Sequence, residues 1–325
     1  MQSLLFATSA VLPIVLLVAL GYFLKQVGMI PEPMPKLMNR LVFRVLLPCN
    51  LFLNVYRIDD LSRIEPGYIL YVLGATAVLF LLTVPIILAI TRVPGERGAL
   101  SQAVFRSNYA LIGIPLATSL FGEEGAIVAT LLSAFIIPLF NILAVITLSV
   151  FGDGGRVSIK RILLGIVKNP LILSIALGCA VLGVRALLVR AGVTFRLSDI
   201  TPVFSVAEQL SRCATPIALL SLGAQFSFSA IPTLKRQIIV GTLLRTLIVP
   251  TLALGLAYLL GYFGGAHFAA FVAVFATPVA VSSVPMAQEM GADSRLAGQL
   301  VVFTTLASGV TIFLYSLILK AVGIF

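Results

Sequence analysis

Two segments of the sequence combine prolines with amide and hydroxyl side chains in otherwise apolar surroundings. The first runs from Arg106 to Gly122 and contains Asn108, and the second runs from Phe275 to Gly291. Proline lacks a backbone N–H donor and clashes with the preceding helical turn, so each segment predicts an interrupted helix. An interruption exposes a helix N-terminus, whose free N–H groups attract an anion, and C-terminal carbonyls, which attract a cation.

The side chains in and near these segments favour recognition of a small organic anion. Asn108 carries an amide that can donate to a carboxylate, and the second segment adds hydroxyl donors. Arg245 either pairs bidentately with a carboxylate or extends its stem to the membrane surface, and both alternatives stay open. The candidate substrate-binding residues are Asn108, Tyr109, Gly113, Pro115, Thr277, Pro278, Val281, Ser282, Ser283, Pro285 and Arg245.

The composition explains where such interrupted helices must lie. Of the 325 residues, 60% are hydrophobic and 10% are charged, and the mean hydropathy is +1.12. A water-soluble domain cannot cover that much apolar surface, whereas a membrane crossing needs roughly 20 apolar residues. Unpaired backbone inside a membrane is tolerated only where it lines a cavity or is buried in protein. One interruption alone is explained by a simple proline kink, but a matched pair favours a binding site.

The apolar runs predict an all-α polytopic membrane protein with ten transmembrane helices. We number these spans 1 to 10, at residues 4–24, 37–55, 68–91, 99–120, 124–150, 162–188, 200–223, 238–263, 267–289 and 296–322. Spans 4 and 9 contain the two proline-rich segments.

The two halves of the chain resemble each other in order. Pro13–Gly21 in span 1 aligns with Pro170–Gly178 in span 6, with five of nine positions identical. Proline-containing pairs then match span 2 with 7, span 3 with 8, and span 4 with 9. An odd number of spans per half forces opposite polarity, so an inverted repeat is predicted. Accidental similarity between apolar helices is the alternative.

The predicted domains follow from this repeat. Residues 1–150 form the first five-helix repeat, 151–161 a cytoplasmic connector, and 162–325 the second, inverted repeat. Lys and Arg are more numerous in one set of alternate connectors, and basic connectors stay in the cytoplasm. We therefore expect a multi-pass protein of the cell (inner) membrane with both termini outside the cytoplasm.

Several function classes are excluded because the sequence lacks the groups of basic, metal-binding or catalytic residues that they require. The net charge of +10 is spread over short connectors, which argues against nucleic-acid binding. Cys49, Cys179 and Cys213 lack metal-site or disulfide spacing, and the single histidine, His267, is given no role. No metal or cofactor is predicted. Catalytic motifs and a second acidic cluster are missing, so the chain is not expected to be an enzyme.

The remaining charged residues within the spans receive mostly structural interpretations. Arg44 and Arg106 lie towards cytoplasmic span ends, where they are expected to reach the interface or lipid phosphate. Glu208 and Arg212 stand four apart, a spacing that permits an ion pair. Glu289 is either a cation or proton site or a group at the cytoplasmic rim.

Four segments resemble the auxin efflux carrier family. Residues 107–115, followed by Phe121-Gly122, are similar to its fourth helix, and residues 277–293 are similar to its ninth. Residues 46–52 and 214–223 resemble its second and seventh helices. The similarity covers nearly the whole chain. Plant members carry a long polar insertion between the halves, so the short connector here resembles the prokaryotic branch, which includes malonate and malate transporters.

This resemblance implies a bile acid/sodium symporter-like transporter fold. Spans 1, 2, 6 and 7 would form a scaffold and a homodimer contact, and spans 3–5 and 8–10 a transport domain that moves like an elevator. In the plant carriers an asparagine on each crossing helix contacts the substrate carboxylate. Asn108 matches the first, whereas Val281, Ser282 and Ser283 stand at the second. We expect a carrier of a small mono- or dicarboxylate, with an anion channel and, less favoured, a membrane-embedded enzyme as alternatives.

Overall fold

The described chain is helical throughout its regular structure. The computed structural model describes residues 2–57, 65–151 and 159–325, with side chains at 12–57, 65–151 and 163–325. Within these residues the one non-helical pairing is an isolated antiparallel bridge. Most of the connector predicted at 151–161, and the acidic pair Asp59 and Asp60, lie outside the described residues.

Fourteen α-helices follow one another along the described chain. They are α1 (Gln2–Gln26), α2 (Pro33–Leu41), α3 (Leu47–Tyr56), α4 (Pro66–Ile90), α5 (Pro94–Phe105), α6 (Ile114–Phe151), α7 (Ile159–Lys168), α8 (Pro170–Arg190), α9 (Thr201–Gln225), α10 (Ile231–Leu243), α11 (Val249–Leu260), α12 (Gly265–Phe275), α13 (Ser283–Glu289) and α14 (Ser294–Ala321).

Five helical stretches are long and apolar enough to cross a membrane. They are Pro66–Ile90, Tyr109–Phe151, Pro170–Arg190, Phe228–Leu260 and Ser294–Ala321. Large apolar side chains on their outer faces are exposed, among them Leu70, Leu187 and Leu259. Such surfaces need a lipid or protein cover, so the fold is that of a polytopic membrane protein.

Three π-helical turns each precede a proline by a few residues. They are Val42–Leu46, Tyr109–Gly113 and Leu244–Ile248, and the prolines are Pro48, Pro115 and Pro250. A proline ring clashes with the carbonyl four residues earlier, and a locally widened turn accommodates the ring without ending the helix. These prolines therefore bend the stretches that contain them and do not interrupt them.

One predicted span is divided in the structure, and one predicted turn is found within a longer helix. The sixth span is two helices, α7 and α8, separated by Asn169, whose side chain accepts a hydrogen bond from Leu171 N at 2.9 Å. Pro170 disfavours helical geometry in the residue before it, which explains the break. The turn between predicted spans 4 and 5 lies inside α6, where Gly122 adopts φ 57°. That left-handed conformation suits glycine.

Glycines allow two helix pairs to approach closely. A Cβ atom on Gly21 of α1 would lie 2.2 Å from Leu220 O of α9. A Cβ atom on Gly178 of α8 would lie 2.9 Å from Val55 Cβ and 3.3 Å from Phe52 O of α3. Small residues at helix contacts are the usual means of tight packing in membrane proteins. The pairs α1–α9 and α3–α8 thus form two close-packed units.

Candidate functional site

The two interrupted helical stretches cross at their unwound segments. Asn108 N donates to Pro278 O at 2.8 Å, and Ala280 N donates to Arg106 O at 3.2 Å. These two bonds make the isolated antiparallel bridge between the stretches. We call residues 106–108 and 276–282 together the crossing. Backbone groups that lost helical partners are thereby paired with each other, which the apolar surroundings require.

The prediction of two interrupted helices agrees with the structure, but the first position was wrong. The break in the first stretch lies at residues 106–108 and not at Pro115, because the π-helical turn accommodates that proline. In the second stretch Pro278 lies inside the unwound segment, and Pro285 lies in the first turn of α13. A proline is tolerated there because first-turn N–H groups have no helical partner.

A cavity of about 260 Å³ borders the crossing. Residues of α3 and α9 line one side, and the crossing and α6 line the other. The lining contains no Asp or Glu side chain among the described residues. Its polar members are Asn50, Asn54, Arg106, Ser107, Asn108, Asn141, Thr215 and Ser282. We call it the crossing cavity.

Arg106 is the one cationic side chain among the described residues that line the crossing cavity. It is 4% exposed, so the prediction that it reaches the membrane surface was wrong. Its guanidinium donates to Gln102 Oε1 at 3.0 Å and to Asn141 Oδ1 at 2.8 Å, and it contacts Met286 Sδ. In the described part of the chain no carboxylate pairs with it. Neutral acceptors therefore hold a buried positive charge.

Asn108 contributes an unused donor beside this charge. It is 9% exposed, and its Nδ2 has no hydrogen-bond partner in the described structure. Tyr109 also lines the cavity, but its hydroxyl already donates to Ala129 O at 2.8 Å. Ala110 and Leu111, in the first turn of the helical stretch that follows, also line the cavity, and first-turn N–H groups have no helical acceptor. An anion in the cavity would meet both kinds of donor.

Arg245 lies outside the crossing cavity and is fully buried. Its Nε donates to Thr277 O at 2.7 Å, Nη1 to Val104 O at 3.0 Å and Nη2 to Val274 O at 2.7 Å. Of the two alternatives left open for Arg245, extension to the membrane surface does not occur in the described structure. Its three nitrogens donate to backbone carbonyls near the ends of α5 and α12 and in the unwound segment, so it links these segments behind the crossing.

Of the other predicted residues, some line the crossing cavity and some pack behind it. Val281 and Ser282 line the crossing cavity, whereas Thr277 does not and instead donates through its hydroxyl to Ala273 O at 2.6 Å. A Cβ atom on Gly113 would lie 2.9 Å from that same carbonyl, so this glycine permits close packing on α12.

Three further predicted residues also lie outside the lining of the crossing cavity. Pro115 lines a neighbouring cavity of about 650 Å³ between α1, α6 and α9. Ser283 is buried with a hydroxyl that has no partner in the described structure, and Pro285 is beside it in α13.

Three asparagines of the site escaped the sequence analysis. Asn50 donates to Ser211 Oγ at 2.9 Å, and Asn54 donates to Asn50 Oδ1 at 3.1 Å. Asn50 and Asn54 are four residues apart and therefore lie on one helical face, a spacing from which the sequence analysis could have predicted them. Asn141 is 2% exposed, and only the fold brings it to Arg106.

Comparison with known proteins identifies the class to which this geometry belongs. The model of a family described as membrane transport protein matches residues 6–160 and 155–316. The chain belongs to this family. It corresponds to the auxin efflux carrier family that the sequence motifs resemble, and that prediction is confirmed.

Two relatives are archaeal transporters. An uncharacterised transporter of Methanothermobacter thermautotrophicus is 27% identical over 327 residues, which cover 96% of this chain and 98% of the relative. An uncharacterised transporter of Methanocaldococcus jannaschii is 27% identical over 263 residues, covering 78% of this chain and 80% of the relative. The family and these names make the protein a membrane transporter.

Two acidic residues of this transporter pair with arginines. Glu208 pairs with Arg57 at 2.5 Å, so the predicted pair with Arg212 was wrong. Glu289 lies 3.6 Å from Arg40 Nε and 3.4 Å from Arg44 Nε, so both its carboxylate oxygens face cations. These contacts hold α13 against α2 and the π-helical turn that follows it.

The described residues contain no group of three His, Cys, Asp or Glu side chains that could hold a metal ion. The three cysteines are free.

Proposed function

We propose that the protein is a secondary carrier that binds a small organic anion, through a carboxylate, in the crossing cavity. The observation that carries this proposal is Arg106, a buried guanidinium in the cavity lining without a carboxylate partner. Burial of an ion has an effective penalty of several kcal/mol unless it is paired. Two amide oxygens offset part of that penalty, and a substrate carboxylate would complete the pairing.

The hydrogen-bond donors of the cavity suit a substrate with a single negative charge at the end that binds there. One guanidinium can hold one carboxylate bidentately, and the unpartnered Asn108 amide and the helix N-terminus add neutral donors. The lining amides of Asn50 and Asn54 suit neutral polar groups elsewhere on the substrate. We therefore favour a monocarboxylate with further hydrogen-bonding groups, or a dicarboxylate that enters singly protonated.

We further propose ten spans arranged as two inverted repeats. The alignment of the halves matches Gly21 with Gly178, and with Pro48 opposite Pro216 it also matches Phe52 with Leu220. Gly21 packs on Leu220, and Gly178 packs on Phe52. Equivalent residues thus make equivalent close contacts, which supports the repeat. Both termini would lie outside the cytoplasm of the cell (inner) membrane.

An elevator movement is the transport step that fits this arrangement. The crossing cavity lies between α3 and α9, which belong to the proposed scaffold, and the crossing, which belongs to the proposed transport domain. The contacts of Glu289 with Arg40 and Arg44, and of Gln288 with Asn39 at 2.9 Å, join the proposed transport domain to the proposed scaffold. We propose that this side faces the cytoplasm and that the contacts break during the movement. We propose a homodimer through the scaffold, as the resemblance implies.

A screen for the substrate tests this function. Ligand binding raises the melting temperature of the purified protein, so a panel of short mono- and dicarboxylates at one pH would reveal the anion class. Proteoliposomes loaded with the unlabelled compound should then accumulate labelled compound by counterflow. A saturable exchange supports the carrier. An anion channel would give a flux that neither saturates nor exchanges, and no carboxylate-dependent shift or flux would contradict the proposal.

A further inference from the structure

The carbonyl ends of two helices converge on one side chain behind the crossing. α5 ends at Phe105 and α12 ends at Phe275. Within the described residues, Arg245 donates its hydrogen bonds to carbonyl oxygens of these two ends and of the unwound segment. Its guanidinium fills the space between them and is fully buried. In the described part of the chain no carboxylate pairs with it.

The charge of Arg245 is balanced by the two helix ends. The C-terminus of a helix carries roughly −0.5 elementary charge, so two ends that face one cation supply roughly −1. Carbonyls at half-helix C-termini are also the groups that coordinate sodium or a proton carrier in transporters with broken helices. The guanidinium of Arg245 therefore occupies the position that such a coupling cation would take, and its charge offsets the partial charges of the two helix ends.

Neighbouring carbonyls at these ends are engaged as well. Ala276 N donates to Val272 O at 2.9 Å, and the Thr277 hydroxyl donates to Ala273 O at 2.6 Å. On the other helix, Arg106 N donates to Gln102 O at 3.0 Å. Sodium sites need several oxygen ligands, and the crossing cavity has no carboxylate in its described lining.

We propose that Arg245 is a resident cation that replaces an inorganic coupling cation at the crossing, so that transport does not require sodium. This inference rests on the proposed carrier function, because it concerns how that carrier is driven. It also assigns a role to Arg245 that differs from substrate binding. The side chain neutralises the helix ends in every transport state and moves with them.

Thermal stability of the purified protein, without substrate, tests the proposal independently of transport. Melting temperatures are compared in sodium, lithium and N-methyl-D-glucamine chloride at equal ionic strength. The variants are Arg245→Met, which removes the cation, and Arg245→Lys, which keeps the charge but loses the planar fork. Arg236→Met is the matched control, because Arg236 is an exposed cation on α10, just before the turn that carries Arg245.

The wild-type protein and Arg236→Met should melt at the same temperature in all three salts. Arg245→Met should melt about 5 °C or more lower, since three buried carbonyls lose their donors, and Arg245→Lys should fall between. Sodium or lithium should raise the melting temperature of Arg245→Met relative to N-methyl-D-glucamine, because freed carbonyls can coordinate a small cation. Equal destabilisation in the three salts would overturn the proposal.

A variant that does not fold leaves two measurements that decide the matter. A saturable, sodium-specific stabilisation of the wild-type protein would overturn the proposal. So would an Arg245→Lys variant that is as stable as the wild-type protein but requires sodium for counterflow. Counterflow by the wild-type protein should proceed at the same rate in sodium and N-methyl-D-glucamine salts. Absence of counterflow in every salt, with the stability results as expected, would instead contradict the carrier function.

Discussion

Two buried arginines lie on opposite sides of the crossing and differ in what surrounds them. Arg245 faces three backbone carbonyls at the ends of two helices. Arg106 faces two side-chain amides and a thioether, and it lines the crossing cavity. Helix ends supply roughly one negative charge to Arg245, whereas neutral amides supply none to Arg106. Arg245 therefore faces partial negative charges within the protein, whereas Arg106 is the cation that we propose pairs with a substrate.

The difference teaches that burial alone does not assign a function to a charged residue in a membrane helix. Both side chains are at most 4% exposed, and both stand in apolar stretches. The position of Arg245 makes it a structural part of the crossing. The position of Arg106 makes it the anion-binding candidate. Substitutions at the two sites should thus separate stability from affinity.

The largest expected effect is on stability, at Arg245. Arg245→Met leaves three buried carbonyls without a donor, which should lower the free energy of unfolding by about 3–5 kcal/mol. The fraction that remains folded should bind the carboxylate with an affinity within about twofold of wild type, because Arg245 does not line the cavity. Thermal denaturation and equilibrium binding of the same preparation measure both quantities. Lost affinity with unchanged stability would reverse the comparison.

The second effect is on affinity, at Asn141. Asn141→Asp would place a carboxylate where Asn141 Oδ1 now accepts from Arg106 at 2.8 Å. The resident carboxylate would pair with the guanidinium and repel an anion, so substrate affinity should fall by at least about 100-fold. Stability should rise, because the buried charge gains a partner.

Asn169→Asp is the matched control for that prediction. Asn169 caps α8 through Leu171 N, and aspartate caps a helix equally well. It adds the same charge away from the cavity lining, so affinity should stay within about twofold of wild type. Isothermal titration of both variants decides the point. If Asn141→Asp bound the anion as the wild-type protein does, Arg106 would not be its partner.

A smaller effect is expected at Asn108. Asn108→Ala removes one neutral donor that has no partner in the described structure, so affinity should fall about fivefold, or about 1 kcal/mol. Tyr109→Phe is the control: it removes a hydroxyl bound to Ala129 O, which should affect stability and leave affinity nearly unchanged. Unchanged binding by Asn108→Ala would remove that amide from the site.

The sequence predicted the helical membrane fold, the two interrupted stretches and part of the site. Asn108, Tyr109, Val281 and Ser282 line the cavity that the interruptions create. The first break was misplaced because Pro115 is accommodated by a π-helical turn, and no sequence rule distinguishes that outcome from an interruption. Proline content therefore indicated which helices are irregular and where the second one unwinds, but not where the first one does.

The roles of the two arginines were not predictable from the sequence. The depth of a charged residue in a span indicates the free-energy cost of burying it, but not the direction in which its side chain points. Arg106 reaches Asn141 across 35 residues and Met286 across 180, and Arg245 reaches Val104 across 141, so only the fold brings these partners together. The same holds for Glu208, which pairs with Arg57 across 151 residues and not with the arginine on its own helix.

The most direct test of the account is equilibrium binding of the carboxylate identified in the screen to Arg106→Met, measured beside the wild-type protein. The account predicts an affinity at least about 10-fold lower, because a charge-assisted contact is lost. It also predicts a smaller loss of melting temperature than in Arg245→Met, because removal of a buried charge offsets the hydrogen bonds that Gln102 and Asn141 lose. Wild-type affinity in this variant would contradict the account.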